Sequence, residues 1–403
     1  MRTAKLQLDG FAWRTAFAVL CCTLWVSDYT IAQKKSPPRR AFSTVVAQAK
    51  QASDANQLDK AIPLYREALR QRPTWAEGWW LLGTAHYDLQ QFPECARALG
   101  RLVKLDPKNG TGHLMLGLCQ FQLKQDALAL KHIQAASEIG IINDPQLIKV
   151  MLYHKGLLLL RAWQFESALE TLGRLAKQGS TAEEFYQALG MTMLRMKPSD
   201  APPAGSTEAQ VVSAIGQAQA LAAEKRYDEA RQQYQQLVAQ SPDFPNIHYA
   251  YGRFLLDSRD VDDAIRQFEE EIKRDPNDVN ARLQIASVRY REDSAAGIPY
   301  AEQAVKLDPK LPLGHYLLGL LYLDTGRAAE AIPELETAKT FFTNEPRVYF
   351  ALASAYSKVG RKKEAALARA TFTKLNARSA QADSEQPVAM RDKSVEQSST
   401  APQ

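Results

Sequence analysis

Six histidines (His86, His113, His132, His154, His248 and His315), four cysteines and several runs of carboxylates are the side chains that could do chemistry here. Their spacing supports little of it. No two histidines flank a glutamate as His-Glu-x-x-His, and no cysteines stand as Cys-x-x-Cys, so two common metal and redox arrangements are missing from the sequence. Glu183-Glu184 and Glu269-Glu270-Glu271 are acid runs of the kind that solvated helix faces carry. Acid–base work would need a pocket that moves one pKa away from the others. Gly110-Thr111-Gly112 lacks the rest of a phosphate loop. Asn109-Gly110-Thr111 satisfies the glycosylation pattern, but its place in a turn explains it equally well. The expectation is therefore no enzyme, no cofactor and no metal. Acids and bases are well mixed at a net charge of +5, which describes a solvated surface and not a nucleic-acid footprint.

The elements that hold these residues repeat. Small residues recur at positions 49, 83 and 117, at 156 and 190, at 218, 252 and 286, and at 319 and 353, a period of 34 within each run. Twelve positions after most of them comes a second small residue: Ala61, Cys95, Ala129, Ala168, Ala230, Ala264, Ala331 and Ala365. Four further on, most units place a large apolar residue such as Tyr65, Leu99, Ile133 or Phe268. Pro73, Pro107, Pro242, Pro276 and Pro309 close units, because proline lacks a backbone donor and disfavours helix for its predecessor. This pattern predicts helix–turn–helix units stacked in a line, each burying apolar surface against its neighbours. About ten units start near 42, 76, 110, 149, 183, 211, 245, 279, 312 and 346. The unit at 183 has only its first helix, and the unit at 279 is shortened near Ser294–Gly297.

From about Ala41 to Leu375 these residues resemble the tetratricopeptide repeat family. The tryptophan expected near the start of the first helix is Trp79 in one unit, but His113, Leu152, His248 or His315 in others. Three histidines thereby become packing residues. The resemblance implies an all-α, right-handed solenoid whose first helices line a concave groove. It places Trp80, Tyr87, Leu114, Phe121 and Tyr153 on that face in the first half, and Tyr249, Arg253, Tyr290, Tyr316 and Phe350 in the second. Apolar and aromatic exposure of this extent marks an interaction surface unless the superhelix packs it against itself. The slots of a Lys/Asn/Arg carboxylate clamp hold Val46, Lys50, Trp80 and Ala85, so no full clamp is present. The resemblance implies a scaffold for a protein or peptide, with no small-molecule cofactor.

The ends and joints differ in composition. Arg2 and Lys5 precede an apolar run, Ala16–Val26, that is too short to span a membrane. Residues 1–32 resemble an export signal cleaved after Ala32, which implies a periplasmic or secreted protein. The alternative is an uncleaved segment that tethers an assembly or secretion factor to the membrane. Residues 33–40 form a flexible basic lead-in, and residues 376–403 form a polar tail expected to be disordered. Residues 197–207 carry three prolines and a glycine and divide two arrays, 41–196 and 208–375. Helix 183–196 is expected to cap the first. Cys95 and Cys119 occupy small-residue slots of neighbouring units, which favours two buried thiols over a disulfide.

Overall fold

The computed structural model describes residues 40–385, with side-chain surroundings given to residue 378. The export signal, the lead-in before Arg40 and the tail beyond 385 lie outside the described residues. Among those residues nineteen α-helices and one short 3₁₀ turn follow in order, with no strand. Four helix pairs come first: α1 (Phe42–Asp54) with α2 (Leu58–Gln71), α3 (Ala76–Asp88) with α4 (Phe92–Leu105), α5 (Gly110–Gln122) with α6 (Asp126–Ile139), and α7 (Pro145–Arg161) with α8 (Phe165–Ala176). Then α9 (Glu183–Met193) is followed directly by the pair α10 (Thr207–Ala223) and α11 (Tyr227–Gln240). The remaining pairs are α12 (Ile247–Asp257) with α13 (Val261–Arg274), α14 (Val279–Arg289) with α15 (Ser294–Leu307), α16 (Pro312–Asp324) with α17 (Ala328–Phe341), and α18 (Pro346–Lys358) with α19 (Lys362–Glu385). All ten expected first helices are present, and the unit at 183 lacks its second, as the register implies. α7 and α10 each start four residues earlier than the pattern suggests.

Three local devices build the units. The first is the crossing. A methyl group added at Gly83 would lie 2.6 Å from the Leu99 side chain, at Gly117 2.6 Å from Ile133, at Gly252 2.7 Å from Phe268 and at Gly319 2.6 Å from Leu335. In each case the large residue stands sixteen positions later, on the second helix of the same unit. The second device is the turn. Asn56, Gln90, Lys124, Trp163, Arg195, Lys225, Arg259, Arg291, Gly326 and Gly360 all take positive φ, one per unit, and only two of them are glycine. In most units the next N–H reaches back to a carbonyl five residues earlier, as Gln91 N to His86 O and Gln125 N to Gln120 O do, which satisfies the orphan carbonyls of the helix end. The third device, in three units, ties the first helix to the turn before it. Trp79 Nε1 donates to Pro73 O at 2.8 Å, His113 Nε2 lies 3.2 Å from Pro107 O, and His315 Nε2 lies 3.0 Å from Pro309 O. Imidazole replaces indole at these slots because both offer a flat apolar ring with one N–H. The prolines end the second helices as expected. The residues just before them, Arg72, Asp106 and Ser241, have φ of −134°, −132° and −138°.

The loop at 197–207 interrupts the chain but not the core. One cluster of buried residues runs from Leu152 through Phe185, Leu189 and Met193 of α9 to Val212 and Ile215 of α10, and on to Ile285. At the missing second helix α10 packs into the vacant place. A methyl at Gly190 would clash with the carbonyl of Val212, and one at Gly216 with the carbonyl of Tyr186. Here backbone meets backbone, and α9 is a continuation of the stack, not a cap. Two further expectations need correction. Residues 376–385 continue α19 as helix, so the polar tail does not lose its structure at 376. Cys95 and Cys119 form a disulfide between α4 and α5 across a sequence separation of 24, because the two small-residue slots face each other at a Cα–Cα distance of 6.2 Å.

Two glycine variants separate these contacts. Gly83→Ala presses on a leucine that can change rotamer and is expected to lower stability by about 1–3 kcal/mol. Gly190→Ala presses on peptide groups that cannot turn away, and its expected cost is larger, above about 3 kcal/mol. Chemical denaturation of both variants checks the order. An equal or smaller loss for Gly190→Ala would contradict the backbone contact.

Candidate functional site

The aromatic residues of the first half sit on successive first helices. Trp80 and Tyr87 are two turns apart on α3, so both project from one face. Both are half-buried and lie against the cluster that contains Cys95, Leu99 and Met115. On α5, the Phe121 ring meets the edge of His154 from α7 at 4.8 Å, and the Arg161 guanidinium lies 4.5 Å from its centroid. Asp126 Oδ1 accepts from Arg161 Nη1 at 3.0 Å and holds that cation in place. Tyr153 meets His154 edge-on at 5.5 Å. Burial raises the phenol pKa of Tyr87 and of Tyr153. Burial also lowers that of His154, outweighing the hydrogen bond from its Nδ1 to Val150 O. This wall therefore shows neutral aromatic surface near neutral pH. Leu114 does not belong to it. Its side chain is 0% exposed and fills the core between α5 and α7.

The middle of the concave face is closed by ions. Arg253 of α12 donates through Nη1 and Nη2 to Glu166 at the start of α8, at 3.1 and 3.0 Å, although the two residues are 87 apart in sequence. Arg195 Nη1 donates to the same carboxylate at 3.1 Å, and its guanidinium lies 4.9 Å from the Phe165 centroid. The space left among these groups is about 10 Å³, room for no more than one water. Desolvation by the surrounding protein raises the Asp257 carboxyl pKa, although its side chain stays exposed, against the opposing pull of Arg253. Tyr249 is 2% exposed and belongs to the core. Its N–H donates to the buried Glu271 Oε2 at 3.0 Å, so α13 caps the start of α12. Leu114 and Tyr249 are thus core residues, packed against Ile133 and Met151 and against Phe268 respectively, whereas Trp80, Tyr153, Tyr316 and Phe350 at the same position of their units remain partly or largely exposed.

The second half is more polar. Tyr290 and Tyr316 are half-buried, and the Arg291 guanidinium lies 5.3 Å from the Tyr290 ring. Burial raises the Tyr316 phenol pKa, partly offset by Arg347. Phe350 is 62% exposed, with one side of its ring against Phe372 at 5.5 Å. Lys50, at a clamp slot, is engaged by Glu77 Oε1 at 2.7 Å. Asn109 caps α5 by accepting from Gly112 N at 2.7 Å, which supplies the structural reason for the Asn-Gly-Thr sequence. Among the described residues no three His, Cys, Asp or Glu side chains are grouped to hold a metal ion. Nor is any described helix long and apolar enough to cross a membrane.

Glu166, Arg195, His154 and Arg161 were not apparent as site residues in the sequence. His154 and Arg161 had a usable signal, since they stand on α7 one and eight positions after Tyr153. Glu166 had none, because its meeting with Arg253 of α12 joins residues 87 apart in sequence, while Arg195 reaches Glu166 as a contact between neighbouring units.

Comparison with known proteins agrees with this architecture. The model of the tetratricopeptide repeat family matches residues 46–94, 81–141, 215–279 and 287–346. The TPR repeat-containing protein MJ1428 of Methanocaldococcus jannaschii is 22% identical over 345 residues, 79% of this chain and 58% of that protein. Mitochondrial import receptor subunit TOM70 of Rattus norvegicus is 34% identical over 93 residues, 23% of this chain and 15% of the receptor. The chain thus spans less than two thirds of the length of these relatives. Among solved structures, MamA 41-end from Desulfovibrio magneticus shows 21% identity at a TM-score of 0.38, covering 43% of this chain and 96% of that chain. The family matches, taken together, cover more than half of the sequence, and the chain belongs to the tetratricopeptide repeat family.

Proposed function

We propose that this protein is a non-catalytic scaffold, exported from the cytoplasm, that binds segments of other proteins on the aromatic wall formed by Trp80, Tyr87, Phe121 and Tyr153. The observation that carries this reading is the state of those four rings. They are half-buried, held by neighbours, and present neutral faces on consecutive first helices. Large rigid aromatic side chains contribute much binding energy at low entropic cost. The ionic closure at Glu166 and Arg253 supports a site confined to the first half, where a segment lies across α3, α5 and α7. Tyr290, Tyr316 and Phe350 would form a separate and more polar surface. The absence of a full carboxylate clamp favours docking through apolar side chains over capture of a chain terminus.

Export is supported by the disulfide between Cys95 and Cys119, since such bonds persist in oxidising compartments. N-terminal sequencing of the protein recovered from its native host should give a start at Gln33 with no free thiol on denaturation. A start at Met1 with two reduced cysteines at positions 95 and 119 would overturn export.

Selection of binders from a random peptide library tests the wall. Peptides recovered on the native protein should carry apolar or aromatic anchors. Trp80→Lys with Phe121→Lys should weaken them by about 2 kcal/mol or more, roughly 30-fold, while the circular dichroism melting curve is retained. Unchanged affinity in the folded double variant would refute the wall as the binding site.

A further inference from the structure

A cavity of about 560 Å³ opens on a different face of α3, between α2 and α4. Its floor is buried and apolar: Leu69, Leu82 and Ala98 are 4%, 5% and 3% exposed, with Trp79 beside them. Its rim is cationic. Arg66 and Arg70 stand four residues apart on α2, and Arg97 and Arg101 four apart on α4. Like charges at this spacing repel along a helix. Only one of the four is neutralised: Glu94 Oε1 accepts from Arg97 Nη2 at 2.6 Å. Arg66 Nη2 lies 3.3 Å from Nε2 of the buried His86, whose Nδ1 lies 2.6 Å from Gln91 Oε1. Arg70 and Arg101 have no carboxylate partner among the described residues. Burial is the main cause that lowers the His86 pKa, and Arg66 adds to it. A neutral imidazole with its Nδ1 proton on Gln91 then accepts from Arg66 and fixes that guanidinium at the rim.

We propose that this cavity is a second binding site, separate from the aromatic wall, for an acidic segment of a partner protein that carries an apolar or aromatic side chain. The size lies within the range of built ligand sites. The four arginines are spread along two helices, with about 6 Å of rise between members of each pair, which suits several carboxylates along an extended chain better than one headgroup. Between them the buried floor accepts the apolar side chain. Arginine suits this task because its planar fork pairs with a carboxylate at two points. The site does not depend on the wall, since Trp80 and Tyr87 do not line it.

The test is selection from a random heptapeptide library on the whole protein, in three forms: native, Arg70→Glu with Arg101→Glu, and Trp80→Lys with Phe121→Lys. Both arginines are exposed, so charge reversal spares the core. The native protein and the wall variant should enrich a class of peptides with two or more acidic residues beside an aromatic or aliphatic one. The arginine variant should lose that class, with affinity for a representative peptide down more than about tenfold. Arg70→Lys with Arg101→Lys should retain most of it, and binding should weaken as salt is raised. NMR titration should show the His86 pKa rising when the peptide is bound, because the ligand's carboxylates offset Arg66. An acidic class that survives charge reversal, or no acidic enrichment on the native protein, overturns the proposal. So does saturable binding of 8-anilinonaphthalene-1-sulfonate alone, which would assign the cavity to a small amphiphilic anion.

Discussion

Close crossing of two helices at a small residue is the contact on which the rest of this molecule depends. A glycine midway along the first helix of five units, Gly83, Gly117, Gly156, Gly252 and Gly319, lets the large residue sixteen positions later lie directly on its backbone. That contact sets the distance within a unit. The second small residue, on the other helix, stands at the same crossing: a methyl at Gly117 would lie 3.1 Å from Ala129 O, and one at Gly319 3.4 Å from Ala331 O. With that distance fixed, each turn must reverse the chain in a few residues, and in every unit one residue enters the left-handed region. For eight of the ten that residue is not glycine, at a cost of roughly 1–2 kcal/mol each. The turn tolerates this because the crossing on either side and the carbonyls it satisfies determine its shape.

The same contact explains how the stack survives a missing helix. At Gly190 no second helix of the same unit is available to supply a large side chain. The following first helix, α10, approaches until its own Gly216 meets the backbone of α9. The resulting spacing is closer than in an ordinary unit, and the core passes through without a break. The proline-rich loop then runs outside the stack, and the solenoid remains one body at the position where its sequence looks most divided.

The legible part of the fold follows from these steric demands. Small residues at a fixed period, with proline after the second helix, locate all ten first helices and show the absent second helix at 183. They also assign the histidines correctly, since His113 and His315 replace Trp79 as the ring that reaches the carbonyl of the preceding proline. The left-handed turns left no trace because Gln90, Lys124 or Trp163 gives no signal of positive φ. The pairing of Cys95 with Cys119 was not legible because a buried thiol and a bridged one occupy the same slot. The site was legible in part. The half-buried places of Trp80, Tyr87, Phe121 and Tyr153 on consecutive first helices, where the site is proposed, follow from register alone. Leu114 and Tyr249 are buried by packing within their own and adjacent units, which the register does not distinguish from the half-buried slots, and the meeting of Glu166 with Arg253 joins residues 87 apart with no local pattern.

The continuity of the stack across the loop is the claim from which the positions of both halves follow. It is tested most directly by cutting that loop. A specific protease site placed within residues 199–205 of the full chain allows cleavage after folding, followed by size-exclusion chromatography in native buffer. If α9 and α10 are joined by their backbones, the two fragments co-elute at the mass of the intact chain and unfold in a single thermal transition. Separation of the fragments, or two independent transitions, would show that the arrays are separate bodies joined only by the loop.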